Sequence, residues 1–222
     1  MKDSDTAGDA MEREDPLAAP QPVPTTSGRK APVPKRKRPG PYRVPPREHR
    51  NGLLIVNTGD GKGKTTAAIG LLLRAAGRKM TVGMYQFMKS DAVLGYGEQV
   101  AARRLGIEIT PLGGGCTPGV EDMASDQELA VAGWNRCRAA VVSGEFDMLI
   151  LDELTLPLDF GWLDTETVIA DIRSRPVGTH VVITGRRAPA ALIEAADLVT
   201  EMRMIKHPLR EKRVRAQAGI DV

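Results

Sequence analysis

At 222 residues with 41% hydrophobic content, the chain is long enough for one domain of moderate size and a tail. Its formal net charge of +3 is uneven: residues 1–50 hold 11 Lys and Arg against 7 Asp and Glu, and the remainder is close to neutral, which argues against a basic nucleic-acid-binding face on the folded part. No apolar run reaches the roughly 18 residues of a membrane span, no signal-peptide pattern begins the chain, and two cysteines outside any C-x-x-C pair suit a reducing compartment, so we expect a cytoplasmic protein without a membrane partner.

Residues 1–50 are predicted to form a disordered tail. Ten of the 16 prolines lie there, and large apolar side chains are almost absent. The basic run Lys35-Arg-Lys-Arg38 has two interpretations, contact with nucleic acid or an acidic partner, or a solvated run that improves solubility. The second is favoured, so we expect no nucleic-acid partner and one folded domain over residues 51–222.

A phosphate-binding loop follows the apolar run Leu53-Leu-Ile-Val56. The loop has the sequence Thr58-Gly59-Asp60-Gly61-Lys62-Gly63-Lys64-Thr65-Thr66. Glycines permit the torsions that turn several backbone N–H groups toward one anion, and the helix that begins at Lys64 adds its positive dipole end. Lys64 supplies a charge, and Thr65 supplies a hydroxyl suited to Mg²⁺. The usual pattern begins with glycine, whereas this chain has Thr58, so the loop is a variant.

From residue 52 onward, strand-like and helix-like segments alternate. This order is typical of a parallel sheet covered by crossover helices. Strands are predicted at about 53–58, 81–87, 107–112, 147–152, 179–184 and 198–204, and helices at about 64–77, 96–105, 124–143, 164–174 and 188–196. Asp164 is a suitable N-cap for the fourth helix. The predicted fold is α/β, similar to P-loop NTPases, with three α/β/α layers and a mainly parallel sheet of about six strands.

Two carboxylates end the apolar strand Met148-Leu-Ile-Leu-Asp152-Glu153. Because the carboxyl ends of parallel strands meet at one edge, Asp152 and Glu153 are expected to lie in the same crevice as the phosphate loop. One of them can hold magnesium, and the other can orient the metal or a substrate group.

Other polar residues give weaker signals. Arg186 follows the strand Val181-Val-Ile183 and can reach a phosphate or ribose, or pair with a carboxylate; Arg74 is ambiguous in the same way. The histidines His49, His180 and His207 have neither metal-ligand spacing nor a visible nucleophile partner, so each is interpreted as structural. A phosphate site without an obvious base suits a reaction whose nucleophile is already activated.

Several segments together resemble the P-loop ATP:corrinoid adenosyltransferases, which act on cob(I)alamin or cob(I)yrinic acid a,c-diamide. The resemblance covers about residues 51–222. It is carried by the following segments: Thr-Gly-Asp-Gly-Lys-Gly-Lys-Thr-Thr-Ala-Ala at 58–68, Arg74-Ala-Ala-Gly77, Gln86-Phe-Met-Lys89, Leu151-Asp-Glu-Leu-Thr155, Val182-Ile-Thr-Gly-Arg186, Ala196-Asp-Leu-Val-Thr-Glu201, Ile205-Lys-His207 and Ala216-Gln-Ala-Gly-Ile-Asp221. The family also has threonine at the position of Thr58.

The resemblance implies transfer of the 5'-deoxyadenosyl group of ATP to a cobalt(I) corrinoid, with release of triphosphate, in adenosylcobalamin biosynthesis or salvage. Residues 59–66 would hold the triphosphate, Lys64 would pair with its charge, and Thr65 with Asp152 or Glu153 would hold Mg²⁺ or Mn²⁺. On this basis Lys64, Thr65 and Glu153 are the candidate catalytic residues. Arg74 and Arg186 would be supporting contacts. The resemblance further implies ATP as co-substrate, a homodimer and a flavoprotein reductase as a possible partner.

The sequence departs from the family pattern after the third strand. Family members commonly have Gly-Phe-Thr-Trp there, with aromatic residues against the corrinoid, whereas this chain has Gly115-Cys116-Thr117-Pro118. Tyr96 and Trp134 are the aromatic residues open to that role. Two other functions therefore stay open, a P-loop nucleoside triphosphatase of other specificity and a non-catalytic carrier of ATP or corrinoid.

Overall fold

The computed structural model describes residues 43–90, 96–115 and 123–220. Parts of the sequence predictions lie outside these ranges. They are the tail over residues 1–42, the segment 91–95, the departure from the family pattern at 116–118, and Asp221 of the terminal motif.

Six strands form one parallel sheet in the described part of the chain. They are β1 (Leu54–Thr58), β2 (Val82–Gln86), β3 (Glu108–Pro111), β4 (Met148–Asp152), β5 (His180–Thr184) and β6 (Leu198–Glu201), in the order β3-β2-β4-β5-β1-β6. All six strands were predicted from the sequence. The last one ends at Glu201 and not at residue 204, because the backbone of Met202 turns toward the phosphate loop and accepts a hydrogen bond from the Gly61 N–H.

Helices connect the strands. They are α1 (Lys64–Ala76), α2 (Gly97–Arg104), α3 (Met123–Ser143), α4 (Thr155–Asp159), α5 (Thr165–Arg173), α6 (Ala190–Ala195) and α7 (Pro208–Lys212). Asp164 caps α5, since its carboxylate accepts a hydrogen bond from the Thr167 N–H at 2.8 Å. α4 and α7 were not predicted, because a helix of five residues is too short to show a helical period in the sequence.

Two apolar cores lie on opposite faces of the sheet, because successive strand side chains point to opposite sides. Leu54 and Val56 of β1 face the core shared with α3, α4, α5 and α6. Ile55, between them, faces the core shared with α1 and α2. The three-layer α/β/α arrangement predicted from the sequence is therefore confirmed.

Residues just before β1 pack on the amino-terminal edge of the sheet. A short 3-10 helix spans Arg47–His49, and Arg47 and Arg50 both bind the Asp147 carboxylate, at 2.8 and 3.0 Å. Asp147 also accepts a hydrogen bond from the Thr81 N–H at 2.8 Å. Arg47 and Arg50, near the end of the predicted tail, are thus held next to the start of β4 by the Asp147 carboxylate, which compensates their charge.

Asp147→Ala is expected to lower the free energy of unfolding by on the order of 3 kcal/mol at pH 7, because it leaves the Arg50 guanidinium and the Thr81 N–H without an acceptor. Burial alone would raise the pKa of Asp147, but hydrogen bonds from Thr81 and Arg47 and the charge of Arg50 bring it below its usual value. A lowered folded-state pKa means that this contribution is complete above about pH 4 and is lost as the pH falls through that pKa.

Urea unfolding at pH 7 and at pH 3 measures this difference. Glu128→Ala, which removes an exposed carboxylate of α3, is the matched control and is expected to change stability little. An equal loss for Asp147→Ala at both pH values would contradict the assignment.

Candidate nucleotide-binding site

The phosphate loop, residues 59–63, curves between β1 and α1. Gly59 and Gly63 adopt φ angles of 93° and 109°, which side chains disfavour. The loop also passes close to the chain after β6: a Cβ atom on Gly59 or Gly61 would lie 2.5 or 2.6 Å from the Met202 carbonyl oxygen. Glycine is therefore required at 59 and 61 for close backbone approach.

Thr58 is the last residue of β1, and its side chain is 7% exposed. Its hydroxyl oxygen accepts a hydrogen bond from the Ala188 N–H at 3.2 Å, which ties the start of the loop to the segment after β5. Glycine could not make this contact, so the variant first position of the loop has a structural use.

Lys64 places its amine inside the curve of the loop. Nζ donates to the carbonyl oxygens of Gly59 and Gly61 at 2.6 and 2.7 Å. Burial lowers the pKa of Lys64, and the positive charge of Arg186 lowers it further, while the negative charge of Glu153 opposes this effect. The loop thus concentrates positive charge at a point where a polyanion would relieve the repulsion.

Asp152 ends β4 and is 1% exposed. Its Oδ1 atom accepts hydrogen bonds from the hydroxyls of Thr65, at 2.8 Å, and Thr184, at 2.6 Å. The end of β4, the start of α1 and the end of β5 are therefore joined by one carboxylate. The structure brings Thr65 and Asp152 together, as the strand order requires.

Glu153 lies beside this cluster in a constrained backbone conformation. Its φ angle is 61°, and its N–H donates to the Thr184 hydroxyl at 3.0 Å. Burial, followed by the neighbouring charge of Asp152, raises the pKa of Glu153, while Lys89, Lys64 and Arg186 oppose this rise. Two carboxylates and the Thr65 hydroxyl are thus arranged next to the phosphate loop.

Residues 50–222 match the model of the family described as ATP:corrinoid adenosyltransferase BtuR/CobO/CobP. The chain belongs to this family.

Among its relatives, the corrinoid adenosyltransferase of Pseudomonas aeruginosa is 39% identical over 172 residues, which cover 77% of this chain and 83% of the relative. A corrinoid adenosyltransferase of Sinorhizobium sp. is 37% identical, with 77% and 80% covered. The corrinoid adenosyltransferase CobA of Salmonella typhimurium is 36% identical, with 81% and 90% covered. The chain is thus an enzyme of the family that adenosylates corrinoids with ATP.

The two arginines predicted as supporting contacts, Arg74 and Arg186, lie at different distances from the phosphate loop. Arg186 is exposed after β5 and close enough to the loop to influence Lys64. Arg74 is also exposed, but it lies in the last turn of α1, ten residues beyond Lys64, or about 15 Å along the helix axis. Arg74 thus lies at the end of α1 opposite the loop, and its role as a supporting contact stays a prediction. Asp60, Lys62 and Thr66 remain at the loop with exposed side chains.

The aromatic residues proposed for the corrinoid side also differ in placement. Trp134 is 6% exposed and donates from Nε1 to Asp171 at 3.3 Å, so it belongs to the core between α3 and α5. Tyr96 is half-buried at the start of α2, with the Lys89 amine 4.4 Å from its ring centroid. Trp134 is thus unavailable for a ligand face.

Histidines have structural contacts. Nδ1 of His180 accepts a hydrogen bond from the Leu53 N–H at 3.1 Å, at the amino-terminal edge of the sheet, and burial lowers its pKa. Nδ1 of His207 accepts from the Leu209 N–H at the start of α7. His49 lies in the short 3-10 helix. The interpretation of all three as structural agrees with these positions.

Sequence reasoning gave no role to Thr184 and Gln86, which contact Asp152. Both are polar residues at the carboxyl end of an otherwise apolar strand. The same pattern identified Asp152 in the sequence, so it could also have identified these two residues. Their partners lie more than 30 residues away, so only the sheet register brings them together.

Lys64→Ala is expected to abolish ATP binding and ATP-dependent activity while leaving the thermal unfolding temperature nearly unchanged. The Lys64 amine contacts loop carbonyls and does not contribute to either apolar core, so its charge serves a ligand. Lys79→Ala, just past the other end of α1, removes an exposed lysine and is the matched control. Isothermal titration with ATP and a fixed-time activity assay measure both properties. Wild-type ATP affinity in Lys64→Ala would contradict the assignment of the loop.

Proposed function

We propose that this protein transfers the 5'-deoxyadenosyl group of ATP to the cobalt(I) ion of a reduced corrinoid, with release of triphosphate. The observation that carries the proposal is the joint placement of Lys64, Thr65 and Asp152 at the phosphate loop of a chain that matches the adenosyltransferase family over residues 50–222. Whether the role is biosynthesis or salvage depends on the acceptor.

The reaction forms one bond and breaks one. The electron pair of cobalt(I) forms the cobalt–carbon bond at C5', and the C5'–O bond breaks, so that its electron pair leaves with the triphosphate oxygen. Cobalt(I) is already a strong nucleophile, and no base is needed. The protein then has two tasks, to hold the reactants in line and to compensate the charge that develops on the leaving triphosphate.

The phosphate loop and its neighbours would compensate the negative charge of the leaving triphosphate. Loop N–H groups, apart from that of Gly61, which donates to the Met202 carbonyl, would face the leaving group together with the dipole of α1. The Lys64 amine would exchange its carbonyl partners for phosphate oxygens. Arg186, which lies near Lys64, adds a second charge at the same edge. Because these groups are fixed by the fold, little reorganisation accompanies the reaction.

Thr65, Asp152 and Glu153 fit a divalent metal. They offer only oxygen atoms, which Mg²⁺ prefers and Mn²⁺ accepts. Within the described residues, no three His, Cys, Asp or Glu side chains cluster as metal ligands. Nucleotide-bound Mg²⁺ needs only one or two protein ligands, because phosphates and water complete its coordination. The metal would supply further positive charge to the triphosphate; one of Asp152 and Glu153 would hold it, and the other would orient the metal or a substrate group.

A cavity of about 370 Å³ lies at the same edge of the sheet, next to β2 and β3. It is lined by Ser90 and Leu112 on the strand side and by Leu129 and Arg136 of α3. β2 is separated from β1 by two strands, so the cavity is on the order of 15 Å from the phosphate loop at the usual strand spacing. In the proposed reaction, one side of the macrocyclic acceptor would occupy this part of the edge, with its cobalt facing the nucleotide.

Three further properties are proposed from family resemblance and composition. They are a homodimeric state, reduction of the corrinoid by a flavoprotein, and a cytoplasmic location. No helix among the described residues combines the length and apolar character needed to cross a bilayer. Size-exclusion chromatography with light scattering tests the first property directly.

ATP hydrolysis is the second candidate function. The observation that favours it is Glu153, whose pKa is raised by burial and by Asp152. A carboxylate with a raised pKa beside a phosphate site can accept a proton from water. Transfer and hydrolysis differ in the bond that breaks, so their products separate them.

Product analysis tests the proposed function. Incubation of the protein with ATP, Mg²⁺ and chemically reduced cobalamin or cobyrinic acid a,c-diamide is expected to yield the adenosylated corrinoid and triphosphate in equal amounts. The corrinoid is followed by its absorption spectrum, and phosphates are separated by anion exchange. ADP and phosphate without an adenosylated corrinoid would favour hydrolysis, and binding of both substrates without turnover would favour a carrier.

A further inference from the structure

Gln86 is an uncharged polar side chain in the interior of the molecule. It ends β2, lies opposite Asp152 in the register between β2 and β4, and is 0% exposed. A buried amide is destabilising unless its donors and acceptor are paired. Its partners therefore indicate why glutamine is present at the end of this strand.

Two carboxylates lie against one end of the Gln86 amide. Nε2 is 3.3 Å from Oδ2 of Asp152 and 3.4 Å from Oε1 of Glu98. Ionised carboxylates only accept hydrogen bonds, so the group that faces them must be the NH₂. The other end, Oε1, accepts a hydrogen bond from Nε2 of Gln99 at 2.9 Å. The amide orientation thus follows from its surroundings.

Gln86 completes the hydrogen bonding of Asp152. Oδ1 of Asp152 accepts from Thr65 and Thr184, and Oδ2 accepts from Gln86. Hydrogen bonds on both oxygens prevent the carboxylate from rotating about its terminal torsion. Gln86 therefore acts on the phosphate site through Asp152.

The partners of Gln86 lead toward the start of α2. Glu98, in the first turn of α2, forms an ion pair with Lys89, and the Lys89 amine lies over the Tyr96 ring. This pairing holds the Glu98 carboxylate in reach of the Gln86 NH₂ group. The orientation of Gln86 is thus fixed by residues that do not contact the phosphate loop.

We propose that Gln86 is a positioning residue for the divalent metal: its NH₂ group fixes the Asp152 carboxylate beside the Thr65 hydroxyl, and so determines how strongly nucleotide binding depends on the metal. This inference rests on the proposed function in one respect, the assignment of Thr65 and Asp152 as the residues that hold the metal. Residues that orient metal-binding carboxylates commonly change metal affinity by about 10- to 100-fold when they are replaced.

Gln86→Met is the principal test, because methionine has a similar length and volume but does not donate a hydrogen bond. ATP binding is measured by isothermal titration over a series of Mg²⁺ concentrations, without corrinoid. The Mg²⁺ concentration for half-maximal ATP binding is expected to rise about tenfold. ATP affinity without metal is expected to stay within about twofold of the wild-type value, because the phosphate loop and Lys64 are untouched.

Gln99→Met is the matched control. Gln99 is 6% exposed and donates to Oε1 of Gln86, so its replacement removes a buried hydrogen bond but leaves both bonds of the Gln86 NH₂ group. Gln99→Met is expected to lower the unfolding temperature about as much as Gln86→Met, with the Mg²⁺ dependence of ATP binding unchanged. This difference separates positioning of the metal from a general structural role.

Gln86→Glu is the second variant, since it keeps the shape but turns the donor into an acceptor against Asp152 and Glu98. It is expected to shift the Mg²⁺ dependence in the same direction as Gln86→Met. Wild-type Mg²⁺ dependence in both Gln86 variants, or an equal shift in Gln99→Met, would overturn the proposal. So would failure of both Gln86 variants to fold while Gln99→Met folds, because Gln86 would then be purely structural. The assay contains only ATP and Mg²⁺, so a negative product analysis would leave its result standing.

Discussion

The Asp152 carboxylate is the interaction on which the arrangement of this site depends. It is almost fully buried, and an anion in that position is stable only when its oxygens are paired. The pairing comes from the end of β2, the start of α1 and the end of β5, through Gln86, Thr65 and Thr184. One buried charge thus joins three elements to β4, and the start of α1 cannot move from β4 without breaking the hydrogen bond between Thr65 and Asp152.

The strand order makes this joining possible. β5 lies between β1 and β4, so Thr184 stands between the phosphate loop and Asp152. The chain then leaves the sheet at Gly185, where a Cβ atom would lie 2.0 Å from the Thr155 hydroxyl oxygen. This close approach to α4 directs Arg186 to the nucleotide side of the edge. A different strand order would separate the same residues by several strand spacings.

The charged groups of the site, Lys64 and Glu153, suit the binding of a polyanion together with a cation. Burial disfavours the charged forms of both Lys64 and Glu153, lowering the pKa of the first and raising that of the second. A triphosphate beside Lys64 and a divalent metal beside Glu153 would each supply the opposite charge that is lacking. The same arrangement favours a departing triphosphate, and this agrees with chemistry at C5' more than with a requirement for a base.

The α/β class, the six strands, the phosphate loop and the Asp152-Glu153 pair could all be predicted from the sequence, because each corresponds to a local pattern of apolar, glycine or acidic residues. The contacts between residues far apart in the chain could not be predicted in this way. Gln86 and Thr184 meet Asp152, Trp134 is buried against α5, and Arg47 and Arg50 pair with Asp147. These contacts depend on strand register and on the free-energy cost of an unpaired buried charge, and both act between residues that share no local sequence pattern.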